Sequence, residues 1–195
     1  MAKKKAAKRT KPNVYEFTIT LAETSPVVWR KVLAHDVIEL YELHMLIQMS
    51  MGWQNAHLFS FEINGKSYSD EETASEMKNT FDAEGVELKD ILGDTKKFTY
   101  TYDFGDDWLH QIEITNVLED DKRVNYPICI GGENACPPED CGGPHGFERL
   151  KDVLKGKEGR EKDEMMTWVG GFYNPNTFDP NFVNKNFLWA NEEDY

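Results

Sequence analysis

Residues 97–117 read KFTYTYDFGDDWLHQIEITNV. Phe98, Tyr100, Tyr102 and Phe104 alternate with polar residues, the period of a half-buried strand. Trp108, His110, Ile112 and Ile114 alternate in the same way. Gly105-Asp106-Asp107, between the two runs, predicts a hairpin loop. With that loop Phe104 faces Trp108, Tyr102 faces His110, Tyr100 faces Ile112 and Phe98 faces Ile114. Every bulky residue then shares one face, and a slip of one residue would split the set. Asp103, Asp106 and Asp107 gather at the tip of this hairpin, beside Trp108 and near His110.

On either side of the hairpin the pattern predicts further strands and several helices. Residues 14–21 alternate, with Tyr15, Phe17, Ile19 and Leu21 on one face. Residues 27–34 follow Ser25-Pro26 as a second strand, which sets Trp29 and Arg30 on opposite faces. Residues 39–51 carry Leu40, Leu43, Leu46, Ile47 and Met51 at helical spacing and stop at Gly52, a suitable cap. His44 and Gln48, four apart, share a face of that helix. His57, Phe59, Phe61 and Ile63 mark a third strand that turns at Asn64-Gly65 into a return strand over 66–68. Residues 70–80 read as an acidic loop, 86–92 as a short helix, and 126–130 as a short strand. Residues 131–146 are rich in Gly and Pro and read as an irregular loop. Helices are predicted over 147–155 and 161–169. The last segment is too aromatic for a free tail and should pack back on the domain. The expectation is a single α+β domain over 13–190, a mainly antiparallel sheet packed against helices, after a disordered basic tail over 1–12.

The chain has 195 residues, enough for one full core, and a net charge of −13. Six of its 22 Lys and Arg lie in residues 1–12, which hold no acid. The remainder sets 16 cations against 35 acids, a balance of −19. A body this acidic disfavours a phosphate backbone on its general surface. The tail alone has the charge for nucleic acid, although a solvated arm accounts for it as well. No apolar run reaches the length that spans a bilayer. The basic N-terminus lacks the apolar stretch of a secretory signal, so a cytoplasmic protein is expected. The three cysteines, Cys129, Cys136 and Cys141, are an odd count for a disulfide framework.

Two constellations carry chemistry. Residues 136–145 read CPPEDCGGPH, so two thiolates and an imidazole, from Cys136, Cys141 and His145, could ligate Zn²⁺. Cys129 or His110 could complete a tetrahedron. The competing reading is a loop stiffened by Pro137 and Pro138, with cysteines that pack as small apolar residues. Asp103, Asp106 and Asp107 form the second set. Carboxylates on a turn can hold a hard cation, and with Glu139 and Asp140 they could build a two-metal hydrolytic site. The competing reading is a turn whose carboxylates accept backbone N–H bonds. His110 is read as a core histidine or, in the minority reading, a base or ligand. His44, His57 and His110 would line one pocket only if helix and sheet converge on it. Trp29, Trp53, Trp108 and Trp168 form either a cleft or core filling.

PVVWR at residues 26–30, the run from Leu43-His44 to Met51-Gly52-Trp53, HLFSF at 57–61, YDFGDDW with His110, and CPPEDCGG resemble the pRi-plasmid open-reading-frame-three-like family. The late Trp168, Gly170, Phe172 and Pro175 fit its C-terminal pattern. The resemblance spans roughly residues 14–185. It implies a compact α+β domain and no assigned chemistry. Some members carry transposon-passenger labels, which imply genomic neighbourhood rather than recombinase activity.

The residues therefore support three functions. The first is a ligand-binding or protein-interaction domain with a pocket between the two motif loops, drawing on Asp103, Asp106, Asp107, Trp108, His110, Glu139 and Asp140. The second is a metal-dependent hydrolase, with Asp106, Asp107, His110, Glu139 or Asp140 as ligands or general base. The third is an accessory factor for mobile-element DNA that docks through residues 1–12.

Overall fold

The central hairpin forms, from β6 (Lys97–Tyr102) and β7 (Trp108–Glu119), in a computed structural model that describes residues 12–192, with side chains over 12–188. Its register differs from the expectation by two residues. Tyr102 pairs with Trp108, Tyr100 with His110 and Phe98 with Ile112. The reason is a longer loop. Asp103 and Asp107 both take positive φ, Asp107 N–H donates to Asp103 O (2.6 Å), and Asp103 Oδ1 accepts from Gly105 N–H at 2.9 Å. Asp103 and Phe104 thus leave the ladder, and Phe104 is exposed rather than packed. An even slip preserves the face, so Phe98, Tyr100, Tyr102, Trp108, His110, Ile112 and Ile114 are all buried.

This hairpin lies in the middle of one eight-stranded sheet. The other strands are β1 (Asn13–Leu21), β2 (Val28–His35), β3 (Phe59–Ile63), β4 (Lys66–Ser69), β5 (Thr80–Asp82) and β8 (Ile128–Glu133). The order is β5-β4-β3-β6-β7-β1-β2-β8. Every pairing is antiparallel except β4 with β5. A register shift between Glu16 and Phe17 places Val14, not Tyr15, in the core.

The helix α1 (Leu40–Met51) buries its apolar stripe and ends at Gly52 in the left-handed conformation, whose N–H bonds Gln48 O. The fold is α+β as expected, with α2 (Glu71–Glu76), α3 (Leu88–Leu92), α4 (Gly143–Lys155), α5 (Arg160–Trp168) and α6 (Pro180–Glu192). Residues 70–80 are not simply a loop. Asp70 caps α2 by accepting from Thr73 N–H, and the chain continues into β5. The Gly/Pro segment is shorter than expected, because β8 runs to Glu133 and α4 starts at Gly143. The aromatic C-terminal segment does return. Val183 and Phe187 of α6 join the core, while Phe172 and Phe182 stay exposed. Asn184 of α6 accepts from Cys129 N–H (2.7 Å) and donates to Cys129 O (3.0 Å) on the outer side of β8. The expected basic tail lies outside the described residues apart from its last position, Pro12. Among those described, no helix is long and apolar enough to cross a membrane.

Candidate functional site

The tip of the central hairpin meets the Cys-Pro-Pro loop. Gly142 N–H donates to Asp106 Oδ2 at 3.1 Å. Trp53 Nε1–H donates to Pro137 O at 2.9 Å. Tyr102 O–H donates to Glu139 Oε1, and Glu139 Oε2 accepts from Gln54 N–H at 2.9 Å. Tyr102 also accepts from Ala56 N–H at 2.9 Å, and burial, then Glu139, pushes its phenol well above the usual range. The two loops thus form one seam, closed underneath by Trp53 stacked on Tyr102 (5.1 Å) and set against Trp108 (6.0 Å).

Three ligating atoms converge on that seam. His57 Nε2, at the entrance to β3, lies 2.9 Å from Asp140 Oδ1 and 3.6 Å from Asp103 Oδ2. All three lie within 4.8 Å of one another. Asp103 comes from the end of β6, and Asp140 from the loop before α4. Asp103 is buried and Asp140 exposed. Among the described residues this is the one group of three or more His, Cys, Asp or Glu donors that converges.

The seam separates two open grooves. One, of about 410 Å³, is walled by Asn55, His57, Leu58, Asp103 and Phe104. The other, of about 550 Å³, runs between α4 and α5 along Asp140, Cys141, Arg149, Leu150, Met165 and Trp168. Arg149 is paired with Glu161 at its rim, at 3.2 Å.

The expected residues divide accordingly. Asp103, Asp106, Glu139 and Asp140 come together at the seam. Asp107 is exposed at the turn, and Trp108 lies beneath it in the core. His110 is fully buried and does not reach the surface. Its Nδ1 donates to Trp108 O at 2.9 Å, and its ring meets Trp53 edge-on. Cys136 and Cys141 pack against the core, and His145 is exposed on the first turn of α4. No third donor converges with these two thiols among the described residues. Burial pushes both thiols up, Cys141 to about 12. The three histidines do not share a pocket. His44 accepts from Tyr100 O–H at 2.7 Å and donates to Asn55 Oδ1 at 2.7 Å, stacked on Phe59. Trp53 and Trp108 fill core, whereas Trp168 is half exposed. His57 is the residue that sequence reasoning undervalued. Its alternation marks a strand face, and only the tertiary fold brings it to the two aspartates.

The buried histidines make stability depend on pH. Burial lowers both His44 and His110 from 6.5 to about 4. The unfolded chain therefore takes up protons below pH 6.5 that the folded chain refuses until about pH 4. Stability is full above the unfolded value and falls as pH drops through this window, by about 3 kcal/mol for each ring. Urea denaturation between pH 8 and 4 measures it. A His110→Phe variant should show a shallower slope, and an unchanged slope would contradict the assignment.

The family described as Plasmid pRiA4b ORF-3-like protein matches residues 13–182. An uncharacterised protein of Sinorhizobium fredii (strain NBRC 101917 / NGR234), y4hQ, is 34% identical over 162 residues, 81% of each chain. The crystal structure of a protein of unknown function from Methanosarcina mazei Go1 superposes with a TM-score of 0.80 at 31% identity, covering 88% of this chain and 98% of the other.

Proposed function

We propose, from the premise that the chain belongs to the plasmid pRiA4b ORF-3-like family, that it is a ligand-binding domain whose ligand sits across the seam of the two motif loops. One observation carries this reading: the loops are tied together and open a groove on each side. The larger groove has an apolar floor from Leu150 and Met165, and Trp168 for a wall. Asp140, Glu161 and Glu164 line it with acids, and the chain carries net charge −13. Such a groove suits a ligand with one apolar face and a cationic group.

A fragment screen by NMR tests the reading, with the Met165 methyl and the Trp168 indole as reporters. Cationic aromatic fragments should perturb these two signals. Trp168→Ala should weaken binding at least tenfold while changing stability by no more than about 0.5 kcal/mol, since the side chain is half exposed. Perturbations confined to other surfaces would overturn it. The convergence of His57, Asp103 and Asp140 favours a second reading, a metal-dependent hydrolase. Metal-dependent turnover of an ester or phosphoester, lost in His57→Ala, would replace the binding reading with this one.

A further inference from the structure

We propose that His57, Asp103 and Asp140 hold a divalent first-row cation of the zinc or manganese type. This deepens the reading of the seam as a ligand site and rests on that reading only for the cation's use. The donor spacing comes first. A cation with bonds of about 2.0–2.1 Å sets its ligand atoms roughly 3.0–3.5 Å apart. Nε2 of His57 lies 2.9 and 3.6 Å from its two carboxylate oxygens.

A plain ion pair fits the local geometry less well. His57 Nε2 is shut off from water, yet it makes no hydrogen bond, because the near oxygen of Asp140 is out of line with the ring N–H direction. Asp103 is 8% exposed. Its Oδ1 accepts from the N–H groups of Gly105 (2.9 Å) and Asp106 (3.3 Å), which fixes the carboxylate. Oδ2 is left aimed at His57 with no hydrogen-bond donor among the described residues. A ring nitrogen shut off from water, without a hydrogen bond and facing two carboxylate oxygens, is costly unless something positive lies between them. The backbone grip on Asp103 Oδ1 is the kind of outer support that orients a metal ligand.

The donor set selects the ion. Two carboxylates and one imidazole neutralise a divalent charge. The nitrogen donor disfavours calcium and magnesium, which take oxygen, in favour of zinc or manganese. Three protein donors leave coordination positions for water or for a ligand in the groove beside Leu58 and Phe104.

The test is calorimetric titration of the full chain, stripped with a chelator, with ZnCl₂, MnCl₂ and MgCl₂. One equivalent of zinc or manganese should bind, with magnesium at least 100-fold weaker. His57→Ala and Asp140→Asn should each weaken binding at least 100-fold, and the second substitution falls on an exposed side chain at a positive φ that asparagine also tolerates. A His145→Ala variant, which removes an exposed imidazole outside the site, should bind as the parent does. Bound Mn²⁺ should broaden the amide signals of Leu58 and Phe104. Absence of saturable binding, or undiminished binding by His57→Ala and Asp140→Asn, overturns the proposal. Trp168→Ala separates the two readings. Cation binding without fragment binding at the groove sinks the ligand reading alone, and the reverse sinks the cation site alone.

Discussion

Gly146→Ala should lower the stability of folding by about 4 kcal/mol. Helix propensity argues for the opposite sign, because alanine inside a helix outscores glycine by about 1 kcal/mol. The local geometry decides. A Cβ at Gly146 would lie 1.8 Å from Cys141 O and 2.7 Å from Cys141 C. Both are backbone atoms, so no side-chain rotation relieves the overlap. Gly146 N–H also donates to Gly142 O at 3.0 Å, which pins the first turn of α4 under the Cys-Pro-Pro loop. Either that turn unwinds or the loop lifts. Lifting Cys141 carries its neighbour Asp140 away from His57, so the proposed cation affinity should fall together with stability. Gly143 repeats the constraint on the facing side. A Cβ there would sit 2.5 Å from Asp106 O, at a φ of +68°. Urea denaturation followed by tryptophan fluorescence measures the effect. A stability equal to or above the parent's would show that the seam is looser than described.

Arg30→Ala should cost a similar amount, about 4 kcal/mol, through a different cause. Arg30 is 3% exposed and has no carboxylate among its hydrogen-bond partners. Its Nε donates to Ser50 O at 3.0 Å, and its Nη1 to Trp29 O at 2.8 Å and Glu133 O at 3.0 Å. Ser50 lies in the last turn of α1, where carbonyls lack helical partners and attract cations. The guanidinium also lies over the Phe178 ring, 4.1 Å from its centroid. One side chain thus joins α1, β2, β8 and the C-terminal segment. Its removal leaves carbonyls unpaired and a void under Phe178. Arg30→Lys should recover little, since one ammonium cannot reproduce the planar fork. A loss below about 1 kcal/mol in Arg30→Ala would contradict this account.

Alternation in β1, β2, β3, β6 and β7 and the apolar stripe of α1 were sufficient to read the sheet and its main helix. The same alternation sets Arg30 with Val28, Val32 and Ala34 on the inner face of β2. Loop lengths were harder. Gly105-Asp106-Asp107 looks like a complete turn, but the Asp103 side chain captures two backbone N–H groups and draws two more residues out of the ladder. The bulge at Glu16 has no marker in composition. The short helix after Asp70 is too brief to display a period, although its capping aspartate is visible. For the site, the acids of both motifs were legible as candidates, but their meeting was not. It depends on bonds between residues some 35 positions apart, such as Gly142 with Asp106. His57 looks like any strand residue until Asp103 and Asp140 are placed around it.

The amide of Asn184 has a consequence for how this protein meets others. The outer side of β8 is where another polypeptide could add itself to the sheet by backbone pairing. At Cys129 both outward groups are already taken, one by the amide oxygen and one by the amide nitrogen of Asn184. A single side chain thus imitates the hydrogen bonds of an absent neighbouring strand. At the other end of the sheet, β5 is only three residues long, too short a template for an incoming chain. Recruitment by strand exchange is discouraged at both rims, which directs any recognition to side-chain chemistry.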